Sequence, residues 1–282
     1  MMQRSAEILP LGVSELVVVD TQAKGGHARQ DFVAQEVPVA LVFNGISHAV
    51  MMASPNDLED FALGFALTEG LIDSVSELYG VDVQPVSNGI ELQLQVSSAC
   101  EWRLKEKRRT LAGRTGCGLC GTDSLSKVQR TLPSVPSISV DASLIFKAEQ
   151  QLRQWQHVQQ LTGATHAAAW VDLQGQILGV REDVGRHNAL DKLIGHLTRQ
   201  AIRADNGFLL ITSRASFEMV QKTVSFGAGL LAAVSAPTAL AVDMAQLHNL
   251  ALAGYVRQGG LVAYSFPNRF NLGVNPVMPQ QV

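Results

Sequence analysis

Residues 165–197 read THAAAWVDLQGQILGVREDVGRHNALDKLIGHL, and the change of period inside this run decides the fold. Thr165 to Val171 and Gln176 to Val180 are two strands around a turn at Asp172 to Gly175. From about Gly185 the period becomes helical: His187, Leu190, Ile194 and Leu197 fall on one face, which directs His187 toward the sheet. The alternation continues downstream. Phe208 to Thr212 is a buried strand, a helix follows from about Ser216 to Phe226, and Ala239 to Val242 is a short strand. A helix near Met244 to Ala253 and a strand at Leu261 to Ser265 complete the series. Strand alternating with helix implies a layered α/β sheet.

Upstream, a helix spans roughly Ser143 to Leu161, and Pro133 and Pro136, among serines, mark a linker. The chain before that linker reads as a small α+β unit. Val39 to Phe43 and Ile46 to Met52 flank Asn44-Gly45, a hairpin turn. Ser54-Pro55-Asn56-Asp57 starts a helix with a capping side chain and a proline in the first turn. Leu58, Phe61, Ala62 and Phe65 follow at helical spacing, and Gly70 ends the helix. Val81 to Val86 and Ile90 to Val96 pair across Asn88-Gly89. The segment to about residue 35 is weakly patterned apart from a strand at Leu16 to Val19. The expected division is an α+β domain over residues 1–132 and an α/β domain over 133–282.

Composition narrows the function classes. The chain has 282 residues, 46% hydrophobic and 17% charged, enough for one large domain or two ordinary ones with a real core. A formal net charge of -3 argues against a general nucleic-acid binder, so any anionic ligand must be held by local basic groups. Three cysteines are an odd count and no secreted disulfide framework. Met1 to Pro10 lacks the apolar core of a signal peptide. Val224 to Val242 is uncharged and nearly long enough to span a bilayer, but Gly227, Gly229, Ser235 and Pro237 break it into buried soluble structure. The expected location is the cytoplasm, with no membrane and no nucleic-acid partner.

Four stretches carry chemistry. Cys117 and Cys120 sit in Gly116-Cys117-Gly118-Leu119-Cys120-Gly121, after a basic stretch with Arg103, Lys105, Lys107, Arg108 and Arg109. Glycines on both sides make an accessible thiol loop, and nearby cations favour the reactive thiolate. Such a pair can shuttle a disulfide, bind zinc, or carry sulfur as a persulfide. Zinc is the weakest of these because there is no second CxxC; Cys100 reads as an inert, semi-buried thiol. No residues are assigned to a metal. Arg181-Glu182-Asp183-Val184-Gly185-Arg186-His187-Asn188 lies between a strand and a helix, where α/β sheets bind ligands and helix N–H groups attract anions. A purely structural Arg/Asp network is the alternative. Ser213-Arg214-Ala215-Ser216-Phe217-Glu218 is a second such junction, suited to phosphate oxygens or simply a capped helix, and Glu218 with Lys222 fits an i, i+4 salt bridge. Tyr255-Val256-Arg257-Gln258-Gly259-Gly260 leaves the last helix for the last strand; its glycines allow close approach to a ligand and Arg257 offers a bidentate donor, against the plainer reading of a helix C-cap. His166 begins a strand of small residues that lets a helix or a ligand pack closely.

Taken together, the cysteine loop, Thr165-His166-Ala167-Ala168-Ala169, the run REDVGRHNALDK from Arg181 to Lys192, Ser216 to Lys222 and Ser235-Ala236-Pro237-Thr238 resemble the accessory sulfurtransferases of formate dehydrogenases, the FdhD family. The resemblance runs from about Val37 to the C-terminus, with Ala164 where glycine is expected. It implies a sulfur relay: a cysteine desulfurase loads sulfur onto Cys117, with Cys120 as helper, and the protein delivers it to a molybdenum cofactor bearing two guanine dinucleotides before that cofactor enters formate dehydrogenase. It implies that Tyr255 to Gly260 holds the cofactor, that the protein is a homodimer, and that it has no tightly bound cofactor of its own. The second half also resembles the cytidine deaminase fold in order of elements, so a three-layer α/β domain is expected. Deaminase chemistry is not: Ala189 stands where the catalytic Glu should be, and Ser213 to Ser216 contains no cysteine. The nucleotide pocket of that fold would still take a guanine nucleotide such as GDP, with phosphates near Arg181, Arg186 and Arg214 and with Asp183 and His187 beside them. A cofactor-binding chaperone that donates no sulfur and a CxxC thiol-disulfide oxidoreductase are the competing functions.

Overall fold

The computed structural model describes residues 9–21, 26–112, 131–257 and 259–271. Cys117, Cys120 and Gln258 lie outside the described residues. The N-terminal part opens with an antiparallel hairpin, β1 (Val13–Asp20) and β2 (His27–Ala34). It continues into a four-stranded sheet of β3 (Val37–Phe43), β4 (Ile46–Ala53), β5 (Leu78–Val86) and β6 (Gly89–Val96), ordered β4-β3-β6-β5. Asn44 and Gly45 both have positive φ, 45° and 79°, as the tight β3–β4 turn requires. Helices α1 (Leu58–Thr68) and α2 (Ser98–Ala112) flank this sheet in sequence, and α1 buries Phe61, Leu63 and Phe65.

The C-terminal part is a six-stranded sheet ordered β13-β12-β11-β10-β8-β9. Its strands are β8 (His166–Asp172), β9 (Ile177–Asp183), β10 (Gly207–Ile211), β11 (Leu230–Ala233), β12 (Ala251–Arg257) and β13 (Gly260–Ser265). β10, β11 and β12 are parallel and buried almost throughout, the pattern expected when both faces of a sheet are covered. One face packs on α5 (Arg186–Arg199), α6 (Phe217–Phe226) and α7 (Ala239–Leu247). The other packs on α3 (Ala142–Trp155), through Ile145, Ala148 and Leu152 against Ala169, Phe208, Leu230 and Ala253. This is the expected three-layer α/β arrangement. A short helix, α4 (His157–Thr162), follows α3, and two-residue strands β7 (Val140–Asp141) and β14 (Phe270–Asn271) pair beside it in sequence order. No helix among the described residues is long and apolar enough to cross a membrane.

Four expectations change. The strand expected at Ala239 to Val242 is the first turn of α7, because the Thr238 hydroxyl caps it by accepting the Ala241 amide. The strand there is instead Leu230–Ala233, four fully buried residues too few to show a period. The helix expected to run to Ala253 stops at Leu247, and Ala251–Arg257 is a strand whose Gly254 leaves room for Pro237; a Cβ would lie 2.8 Å from its ring. Asp57 precedes α1 in the left-handed region (φ 52°) and provides no side-chain cap. The helix expected over 143–161 is two helices broken at Gln156.

The two parts meet where α1 crosses α5. A Cβ on Gly64 would lie 1.8 Å from the Asp191 carbonyl oxygen, and one on Gly195 would lie 1.9 Å from that of Asp60. Only hydrogen fits on either side. In a free helix, replacing glycine by alanine stabilises by about 1 kcal/mol. Here the overlap with rigid backbone reverses the sign: Gly195→Ala is expected to lower stability by about 2 kcal/mol or more in urea unfolding. An unchanged midpoint would contradict the close crossing.

Candidate functional site

The run Arg181 to Lys192 divides between two jobs. Asp183 is fully buried and accepts from the Ser54 amide at 3.0 Å, the Gly185 amide at 2.7 Å and Asn188 Nδ2 at 3.0 Å. Lys192, also fully buried, sits 2.7 Å from Asp183 and donates to the Ser54 carbonyl at 2.9 Å. Burial pushes the Lys192 amine below its usual range, against the pull of Asp183. Arg181 donates to Asp60 at 2.7 Å and sits 3.4 Å from Asp57. Glu182 accepts from the Val158 and Gln159 amides and from the Thr165 hydroxyl. Asn188 donates to the Met52 carbonyl. Apart from Glu182, which holds the start of α4, these side chains face α1 and its approach, so Arg181 and Asp183 tie the two parts of the chain together. Removing one member of a pair as buried as Lys192–Asp183 would cost about 3–5 kcal/mol.

Arg186 and His187 face elsewhere. They open α5 just beyond the end of β9, and α6 and α7 open in the same way just beyond β10 and β11. The side of the sheet where β10, β11 and β12 end therefore gathers several helix N-termini, whose free N–H groups favour anions. His187 was expected to face the sheet. In its place at the first turn it reaches across to α6, with Nε2 2.7 Å from Glu218 Oε2. That contact, first of all, holds the Glu218 carboxyl below its usual range. The expected Glu218–Lys222 pair is not formed: Lys222 instead contacts Asp191 at 3.0 Å, Glu69 at 2.6 Å and Thr68 at 3.0 Å. A helix-surface spacing cannot reveal that its lysine faces inward.

Among the described residues, three buried polar atoms at these junctions have no well-aligned hydrogen bond: Arg186 Nε, Ser216 Oγ, and His187 Nε2, which meets Glu218 by distance alone. Buried donors are nearly always satisfied, so the orphaned pair Arg186 Nε and Ser216 Oγ at adjacent strand-to-helix junctions marks a candidate ligand contact. Arg214, in the second junction, is exposed. His166 starts β8 at the same end of the sheet, paired with Asp183 of β9. Its imidazole is pushed below 6.5 by burial, then by the charges of Arg186 and His187. The structure thus brings Arg186, His187 and His166 together, with Asp183 beside His166 but committed to Ser54 and Lys192, and turns Arg181 away toward Asp60. Sequence reasoning took the Ser213 to Glu218 junction as a phosphate site or an ordinary capped helix; nothing in a serine's identity signals that its hydroxyl is orphaned.

Tyr255 to Gly260 was expected to leave a helix. It is the end of β12, a hairpin turn and the start of β13. The pairing of the two strands is irregular between Gly254 and Arg257, and Tyr255 has a positive φ of 53°. Bulges and strained residues of this kind gather at functional sites. Tyr255 and Arg257 are exposed, with the guanidinium 6.0 Å from the Tyr255 ring, while Val256 is fully buried in the core. Tyr255 N donates to the Ser235 carbonyl, which places this turn beside the loop that leads into α7. Gly259 has φ 81°, as the turn demands. Cys100 is fully buried, more so than expected, with Sγ donating to the Leu71 carbonyl.

A family model described as FdhD/NarQ matches residues 34–271. The chain belongs to the FdhD/NarQ family. It is 53% identical over 249 residues to a sulfur carrier protein FdhD of Bordetella petrii, covering 88% of this chain and 90% of the relative. Proteins of the same name from Variovorax paradoxus and Cupriavidus necator are 54% and 56% identical, covering 95% and 85% of this chain and 94% and 83% of their own lengths. Among solved structures, one described as a formate dehydrogenase accessory protein from Desulfotalea psychrophila superposes with a TM-score of 0.73 at 20% identity, over 93% of this chain and all of its own. At that identity the likeness speaks for the fold of this FdhD/NarQ member.

The titration of His166 gives a test with a definite sign. Its folded pKa lies below the ordinary value, so between the two the unfolded chain binds the extra proton. Its contribution to stability is complete above 6.5 and declines as pH falls through that window. Wild type is expected to lose more urea stability than His166→Gln between neutral pH and the lower end of the window; parallel slopes would contradict the burial of His166.

Proposed function

We propose that this chain is a sulfur carrier in the maturation of formate dehydrogenase, acting through a persulfide on Cys117. The Cys117 thiolate attacks the outer sulfur of a persulfide on a cysteine desulfurase; the donor leaves as a thiolate, and the outer sulfur stays on Cys117. Cys120 then attacks the inner sulfur of that persulfide. The outer sulfur departs as sulfide toward a molybdenum cofactor with two guanine dinucleotides, and the two electrons come from oxidation of the two cysteines to a Cys117–Cys120 disulfide. A cellular thiol reductant restores the pair. The reading includes a homodimer working in the cytoplasm, where a thiol pair can be kept reduced.

The observation that carries the cargo half of this reading is the orphaned pair Arg186 Nε and Ser216 Oγ, set among helix N-termini at one end of the sheet. Buried donors with a neighbouring exposed Arg214 suit the pyrophosphate oxygens of a guanine dinucleotide. Tyr255 and Arg257 on the bulged turn extend that surface along the sheet end. The name sulfur carrier protein, borne by relatives over most of the chain, supports the donor half.

Intact mass after incubation with a cysteine desulfurase and cysteine tests the reading directly. One added sulfur atom is expected on wild type and none on Cys117→Ala, and the same variant should leave formate dehydrogenase inactive. Full client activity with Cys117→Ala would instead indicate a chaperone without sulfur donation. Reduction of insulin by the wild-type pair would indicate an oxidoreductase.

A further inference from the structure

Helix α2 (Ser98–Ala112) gives one face to the N-terminal core and leaves another exposed. Cys100 and Leu104 are buried, and Arg103 holds Glu77 at 2.6 Å, so the first face is committed. Trp102 stands two positions from each of the buried pair, about 200° round the helix, and is 64% exposed. Lys105 and Glu106, three and four residues on, share its side and are exposed. Val75 and Tyr79, both exposed, flank the Glu77 that Arg103 holds. A single exposed apolar residue is ordinary, but tryptophan is on average one of the most covered residues. A tryptophan on the solvent side of a helix, with two more large apolar residues at the same corner, has the make-up of an interface anchor. These residues belong neither to the cargo surface nor to the crossing of α1 and α5.

Charge and reach identify what covers this face. The sequence of α2 holds Arg103, Lys105, Lys107, Arg108 and Arg109 against Glu101 and Glu106, in a chain whose net charge is -3. Cations late in a helix suit its dipole, but they also draw an acidic partner, and Trp102 gains nothing from the dipole. The pair of Lys105 with Glu101 is a surface pair on one helix turn and holds the lysine weakly. Cys117 follows Ala112 by five residues, which span about 17 Å at full extension. Trp102 lies ten residues before Ala112, about 15 Å of helix. Persulfide exchange brings two sulfur atoms into contact, so the protein that loads Cys117 must stand beside the end of α2. An interface of ordinary size is about 30 Å across, enough to cover Trp102 and the thiol together.

We infer that the exposed face of α2, anchored by Trp102, is the docking surface for the protein that donates sulfur to Cys117. That donor presents an apolar recess for the indole, rimmed by carboxylates that meet Lys105. The inference rests on the persulfide relay proposed above and gives its first step a place; it adds no bond to that step. Donor and cargo then have separate surfaces, one on the N-terminal part of the chain and one at the end of the six-stranded sheet.

The rate at which the full chain gains sulfur on Cys117, read by intact mass against Cys117→Ala, tests this with two donors. One is a cysteine desulfurase with cysteine; the other is glutathione persulfide, which is too small to need a docking surface. Loss of an aromatic anchor is costly enough that Trp102→Ala and Trp102→Glu should slow loading by the desulfurase about tenfold or more at limiting concentration. Lys105→Glu should slow it by a smaller factor, and added salt should slow wild type in the same way. Loading by glutathione persulfide should match wild type in all three variants. Thermal melting should stay close to wild type, because Trp102 and Lys105 are exposed. Wild-type rates with the desulfurase in both Trp102 variants overturn the inference. Equal slowing with both donors also overturns it, since the effect then lies on the thiol and not on docking. A Trp102→Glu chain that changes oligomeric state on light scattering, with loading unaltered, assigns the face to a second copy and overturns it too. Failure of wild type with the desulfurase alone overturns the docking inference, and failure with both donors overturns the relay itself.

Discussion

The backbones of two helices touch where Gly64 meets Gly195, and the rest of the molecule is arranged around that contact. No side chain larger than hydrogen fits at either position. Such close approach leaves little room for water and brings polar side chains of both helices into the same dry space. Each charge there then needs a partner. The partners are the ones observed: Lys192 with Asp183, Lys222 with Asp191 and Glu69, Arg181 and Arg199 with Asp60. Asp191 illustrates the tension, since burial pushes its carboxyl up while Lys222 pulls it down. The crossing thus absorbs most of the charged residues of the Arg181 to Lys192 run. It leaves Arg186 and His187 at the start of α5 as the members that face outward.

That division explains how far the sequence could be read. The hairpin at Asn44-Gly45, the strands at Ile90 to Val96 and Phe208 to Thr212, and the helices through Leu190 and Met219 announce themselves, because each satisfies a local period or turn rule. β11 does not, because four consecutive buried residues carry no period. The helix–strand boundary at Leu247 is hidden for a different reason: Ala251 to Ala253 are as good in a helix as in a strand, and the choice is made by pairing with β11 and by Pro237 against Gly254. β2 is hidden because its polar residues cluster in one half without alternating and it is held by the hairpin ladder rather than by burial.

The candidate site was legible in position and only partly in membership. Strand-to-helix junctions with arginine were found at Arg186 and Arg214 because the junctions are local. Which side chain turns to the interface and which to the ligand surface is decided by elements far away in sequence. Asp60 claims Arg181, and Ser54 and Lys192 claim Asp183, across more than a hundred residues in the first case. Ser216 shows the converse. Its significance lies in a partner it lacks, which composition and spacing do not encode.

The central claim is that sulfur arrives at Cys117 and leaves for a cargo held at the far end of the later sheet, so loading and delivery should separate. An Arg186→Ala/Arg214→Ala double variant, expressed in cells lacking the wild-type protein, tests this most directly by persulfide content and formate dehydrogenase activity together. Normal persulfide on Cys117 with an inactive client is the predicted result. A fully active client would contradict the account.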